Sequence, residues 1–127
     1  MLVIGDEALR LVDRGVPYIV DVGELWSRVT GKPLVYAVMV ARVGTHTGFI
    51  NYVINEIEKS LRRFEEDPEE VINYTGSRLG VSRELIREYF RSIRYRVDDE
   101  VLEAIETELE ILKLPNCLRT MTQETPN

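Results

Sequence analysis

The sequence predicts an α/β fold, with short parallel strands over residues 1–44 followed by a C-terminal helical segment over residues 45–114. Three observations predict it. Leu34–Val40, LVYAVMV, is a nearly unbroken apolar run, the pattern of a strand buried on both faces by helices rather than half-solvated. A helix with its own start and stop signals precedes that run. After Arg42 the apolar period lengthens to that of a helix and stays so to the end of the ordered pattern.

Taken in order, Leu2-Val3-Ile4 is a first apolar run, and Gly5-Asp6 turns the chain into a short amphipathic stretch, Glu7 to Arg14. Gly15 stops that helix, and Pro17-Tyr18-Ile19-Val20 forms a second run. Asp21 is placed to cap the next helix, with Glu24 completing a capping-box-like pair. Leu25, Trp26 and Val29 give that helix an apolar face, and Gly31 with Pro33 ends it. Short apolar runs separated by helices imply parallel strands joined by crossovers. A strand in the first residues frays unless tied down, so Leu2–Ile4 is expected to form an apolar sheet edge that needs a partner.

Thr45 or Thr47 can cap a long helix whose Phe49, Ile50, Val53, Ile54, Ile57, Leu61 and Phe64 share a face. Asp67-Pro68 supplies a cap and a first-turn proline for another, carrying Val71, Ile72 and Leu79 inward and closed by Gly80. Ser82 caps a third, with Leu85, Ile86, Tyr89, Phe90 and Ile93 inward. Asp98 caps a fourth, with Val101, Leu102, Ile105, Leu109 and Leu112 inward. These helices are expected to pack on the sheet. Residues 115–127 carry no period and read as a flexible tail.

With 127 residues, 44% of them hydrophobic and 30% charged, the chain suits one globular domain. No window of about 18 apolar residues could span a bilayer, and Leu2–Ile4 is too short for a signal-peptide core, which argues against export. A single cysteine, Cys117, excludes an internal disulfide and suits a reducing compartment. The expectation is a cytoplasmic protein. The net charge of −6 lies wholly in the later part: residues 1–44 hold five basic and five acidic groups, residues 45–127 eleven and seventeen. That is a poor footprint for nucleic acid, whose affinity comes largely from neutralised phosphates.

Ligands of open α/β sheets bind beyond the carboxyl ends of the strands, here around Gly5-Asp6, Asp21–Gly23 and Arg42–Thr47. Gly5 lets a ligand approach the backbone, and the free amides opening the next helix suit a carboxylate. The plainer role for Asp6 is to cap that helix. Arg42 can grip a carboxylate through its two-pronged guanidinium or pair with a neighbouring acid. His46, the single histidine, reads as a surface residue near a helix start. Trp26, Tyr18 and Tyr36 read as core rather than as ligand-stacking aromatics. Cys117 has no histidine near it in sequence. There is no metal-ligand spacing, phosphate loop or nucleophile elbow, so neither metal nor cofactor is expected.

The segments LVIGDEAL, DVGELWSRVTGKPLVYAVMVAR, LGVSRELIREYF and IRYRVDDEVLEAIETELEIL follow one another between Leu2 and Leu114. Together they resemble the chorismate dehydratases of the futalosine route to menaquinone, the MqnA family. The likeness is to the C-terminal half of that family only. It implies a part of a two-lobed, periplasmic-binding-protein-like α/β fold. It also implies a lyase reaction, the dehydration of chorismate to 3-[(1-carboxyvinyl)oxy]benzoate, in which the protein mainly holds a dianionic substrate. Gly5 and Asp6 match the family's glycine-aspartate and, with Arg42, are the expected substrate-binding residues. No catalytic residue is assigned. Because the family's cleft lies between its lobes, the resemblance implies a partial or split form of the enzyme, completed by a missing N-terminal half or by a second copy.

Two alternatives remain on the sequence. One is a non-catalytic domain binding a small carboxylate or a partner protein. The other is a helix-turn-helix over Val71–Tyr89, with Arg83, Arg87 and Arg91 facing DNA, against which Glu84 and Glu88 share the same helix.

Overall fold

A computed structural model describes residues 1–114, and the expectations for the tail and for Cys117 lie outside the described residues. Six helices run α1 Asp6–Asp13, α2 Val22–Thr30, α3 Thr47–Glu66, α4 Pro68–Leu79, α5 Arg83–Ser92 and α6 Asp99–Ile111. No strand occurs among the described residues, which overturns the α/β expectation and with it the parallel strands and the periplasmic-binding-protein-like sheet. The expected strands at Leu2–Ile4, Pro17–Val20 and Leu34–Val40 are irregular backbone.

The physical reason is that a strand exists only through a partner ladder, whereas apolar content is a local property of the sequence. Leu2 and Ile4 each stay 81% exposed, so nothing converts their hydrophobicity into pairing. In the third run the backbone amide of Val35 donates instead to the Glu108 carboxylate of α6, and Leu34 and Val35 are half-buried while Tyr36 to Val40 are exposed.

The helix signals fared better because their partners lie within one turn. The Asp21 carboxylate accepts from the Glu24 amide at 2.8 Å, and Gly31 ends α2 in the left-handed conformation, φ 70°. The reciprocal half of the capping box is replaced: the Glu24 carboxylate pairs with Arg28 at 2.6 Å. Asp67, Ser82 and Asp98 cap α4, α5 and α6 as expected. For α3 neither threonine serves. His46 is the cap, its Nδ1 accepting from the Gly48 amide at 3.1 Å.

The chain divides into two compact units. One comprises residues 1–19 and 39–96. Its core is Ile72, Val81 and Ile86, with Leu9, Leu79, Leu85 and Phe90 packed around them. α4 and α5 meet at a tight turn in which a Cβ on Gly76 would stand 3.2 Å from the Val81 carbonyl oxygen, so the small residue lets the turn fold onto the helix. α1 is tied to this turn by polar contacts: Arg10 Nε donates to the Leu79 carbonyl at 3.0 Å, and the Asp13 carboxylate accepts from both the amide and the hydroxyl of Ser82. The apolar face foreseen for α3 is only partly used. Phe64 meets Phe90 edge-on at 5.2 Å, while Phe49 and Ile54 remain 60% and 42% exposed.

The other unit comprises residues 20–38 and 97 onward. Among its described residues, Val101 and Ala104 of α6 are buried. Lys32 bridges to Glu103 at 2.7 Å, which with the Val35–Glu108 bond fastens the segment after α2 to α6. A Cβ on Gly23 would collide with the Tyr36 hydroxyl, so the glycine makes room for the tip of that side chain.

Candidate functional site

Gly5 is the N-cap of α1, with φ 65° and ψ −138°, a backbone geometry that favours glycine. Asp6 is therefore the first residue inside the helix, and its side chain makes no cap hydrogen bond. The plainer role of Asp6, as a cap, is thus not the one it occupies; its carboxylate is exposed at the positive end of the helix. Arg42 precedes the turn into α3, where its carbonyl accepts from the Thr45 amide at 3.0 Å and from the Thr45 hydroxyl at 2.7 Å. Its guanidinium is exposed and joins no ion pair among the described residues. No hydrogen bond or ion pair links Gly5 or Asp6 to Arg42 among the described residues.

No strand occurs among the described residues, so no strand carboxyl ends frame these positions. What remains is local: a glycine-opened helix start with an uncommitted acid, and an uncommitted arginine before another helix start. Such groups can orient a carboxylate through backbone amides and a guanidinium fork. The aromatic expectations divide. Tyr18 and Tyr36 are 67% and 74% exposed, contrary to a core role, whereas Trp26 is half-buried with its Nε1–H enclosed and without a hydrogen-bond partner. His46 is an exposed cap. Among the described residues no group of three or more histidine, cysteine or acidic side chains is placed to hold a metal ion, and no helix is long and apolar enough to cross a membrane.

The sequence reading did not foresee a network of arginines and carboxylates over α3, α4 and α5. Glu69, in the first turn of α4, receives Arg83 at 2.7 Å and Arg87 at 2.9 Å. Hydrogen bonds from Arg87 and then from Arg83 hold its carboxyl below the usual glutamate range, and the Arg87 guanidinium is held above its own. Nearby, Arg96 spans Glu58 and Glu65 and lowers the Glu65 carboxyl, chiefly by hydrogen bonding. These pairs join residues that are 14 to 38 positions apart, so no i,i+4 pattern announces them. They also bear on the helix-turn-helix alternative: α4, a three-residue turn and α5 do form such a pair, but Arg83 and Arg87 are committed to Glu69.

No curated protein and no solved structure is detectably similar to the chain. The sequence model of the menaquinone biosynthesis family matches residues 1–113, almost the whole of the described chain. That match agrees with the resemblance carried by the glycine-aspartate opening and the later helices. The chain belongs to the menaquinone biosynthesis family.

Proposed function

We propose that this chain serves menaquinone biosynthesis as part of a chorismate dehydratase, a lyase that removes water from chorismate to leave 3-[(1-carboxyvinyl)oxy]benzoate. The carrying observation is the family match over residues 1–113; the resemblance of the individual segments supports the narrower reading of this reaction and of the family's C-terminal half. In the reaction the ring carbon–hydroxyl bond breaks, a ring proton is lost, and water leaves as the ring becomes aromatic. Aromatisation supplies the driving force, so the protein's task is to hold a dianion and position the departing groups.

In this reading Gly5 and the opening amides of α1 receive one carboxylate, Arg42 receives the other, and Asp6 stands at the rim. The exposed setting of Asp6 and Arg42, with neither committed to a protein partner, supports a ligand role over a structural one. A companion region, supplied by an N-terminal half or by a second copy, completes the cleft. The exposed apolar side chains of Leu2, Ile4 and Met39 support that requirement, since such side chains gain by leaving water.

The test is to mix the chain with chorismate and follow the ultraviolet band of the aromatic product, alone and with a supplied N-terminal half. Product in either mixture sustains the proposal, and silence in both overturns it. A non-catalytic domain would instead show a ligand-induced rise in Tm without product.

A further inference from the structure

Gly5, Asp6 and Arg42 do not line the cleft formed by the later helices. α3, α4 and α5 enclose an open cleft of about 230 Å³, with Phe64, Phe90 and Ile72 lining it and Arg87, Arg91, Glu65 and Glu69 also on its wall. Ile72 is 2% exposed, so its side chain closes the cleft off against the core. Phe64 and Phe90 stand edge-on to each other, 5.2 Å between centroids and inclined by 64°. Two inclined rings over an aliphatic residue offer both a face and an edge to a third ring.

The charges on the wall are unequal in their commitments. Glu65 is engaged by Arg96, and Glu69 by Arg83 and Arg87. Each carboxylate is therefore neutralised by a guanidinium before any ligand arrives. Arg91 is the exception: it is exposed and forms no ion pair among the described residues, even though Glu88 lies one turn back on the same helix. On the wall itself Arg87 and Arg91 match Glu65 and Glu69 in number, but Glu65 is answered by Arg96 from outside the lining and Glu69 by Arg87 and Arg83. The uncommitted charge on the wall is the Arg91 fork, beside two rings.

We propose that this cleft binds a small single-ring aromatic carboxylate, its ring against Phe64, Phe90 and Ile72 and its carboxylate held by Arg91. A guanidinium takes a carboxylate in a planar two-pronged bond, and a ring meets the phenylalanines at their preferred inclined geometry. Size selects the class. Sites for larger ligands run to about 300–1,000 Å³, so the cleft admits one ring and its substituent. An aliphatic acid would keep the charge contact and lose the ring contacts; a neutral aromatic amide would do the reverse.

The experiment titrates the isotopically labelled 127-residue chain with sodium benzoate, benzamide and hexanoate, following backbone amide resonances. Benzoate is expected to bind in the millimolar range, as a ligand of so few atoms should, with the largest shifts at Phe64, Phe90 and Arg91. Benzamide and hexanoate are each expected to bind at least about five-fold more weakly, the loss of one charge-assisted or aromatic contact. Arg91→Gln should reduce benzoate to the level of benzamide with no change in Tm, because Arg91 holds no partner in the protein. Arg42→Gln should leave benzoate binding intact, which separates this site from the proposed chorismate site. Equal binding of benzoate and benzamide, equal binding of hexanoate, shifts centred on Gly5 and Asp6, or no shifts at all would each overturn the proposal.

Discussion

Arg87 holds Glu69 through both carboxylate oxygens, at 2.9 and 3.1 Å from one guanidinium nitrogen, and so fastens the second turn of α5 to the first turn of α4. Arg83 reaches the same carboxylate from one helical turn earlier. The carboxylate thus carries two guanidinium groups, an arrangement that stabilises the ionised acid more than the protonated one.

The pH dependence follows from that sign. Protonation of Glu69 in the folded protein needs a lower pH than in the unfolded chain. Its contribution to stability is therefore complete above the unfolded glutamate range, about 4.3, and is lost as pH falls through the lower folded value. Thermal melts between neutral pH and about pH 3 should show Tm falling on acidification, with Glu69→Gln giving a shallower fall than the parent. Parallel curves for the two proteins would contradict the assignment.

Ser82 has two duties, and they make an unusual prediction. Its hydroxyl accepts from the Leu85 amide as the cap of α5 and donates to the Asp13 carboxylate; the latter bond, more than the accompanying amide bond, lowers the Asp13 carboxyl. Ser82→Ala should cost about 1–2 kcal/mol, the worth of a lost cap. Aspartate normally caps as well as serine. Here Ser82→Asp should nevertheless destabilise, because it removes the donor and sets a second negative charge against Asp13. The added Asp13→Asn change should recover most of that loss in Ser82→Asp, and denaturant unfolding of the four proteins measures it.

The core of the same unit is small enough that one residue decides it. Ile86 is fully buried and Ile72 nearly so, with Val81 between the two helices. Ile86→Ala should cost about 2–5 kcal/mol, whereas Ile111→Ala, at a position 53% exposed, should cost only a few tenths of that. Gly80 holds φ 68° at the end of α4, so Gly80→Ala should destabilise by about 1 kcal/mol. Chemical denaturation followed by helix content would rank the three.

The legible parts of this fold share a cause. Asp21, Gly31, Asp67, Pro68, Gly80, Ser82 and Asp98 act within a turn of their own position, and there the sequence signals and the structure coincide. His46 was missed as a cap because histidine is outside the usual capping set. The strand expectation failed at Leu34–Val40 because a strand is a relation between segments, and the amide of Val35 found a glutamate instead. Phe49, Ile54 and Ile57 have helical spacing yet stay exposed, for periodicity marks a face without naming what covers it. Of the site residues, Gly5 was readable from its place before a helix, while the pairing of Arg87 with Glu69, 18 residues apart, left no trace in spacing.

The proposed dehydratase role makes one further demand, on residues that stability does not protect. Asp6 makes no cap bond, and Arg42 makes no ion pair among the described residues, so neither substitution should unfold the chain. Asp6→Asn should lower Tm by little, since it removes only the favourable interaction of an acid with the helix start, worth about 0.3–1 kcal/mol. If Arg42 holds a substrate carboxylate, Arg42→Gln should lower kcat/KM for chorismate by about 10²-fold or more, the usual consequence of removing one partner of a desolvated charge pair. Arg42→Lys should recover only part, because an ammonium cannot form the two-pronged bond. These ratios are measured in the mixture that yields the aromatic product. An Arg42→Gln protein with unchanged kcat/KM would remove Arg42 from the substrate site while leaving the family membership untouched.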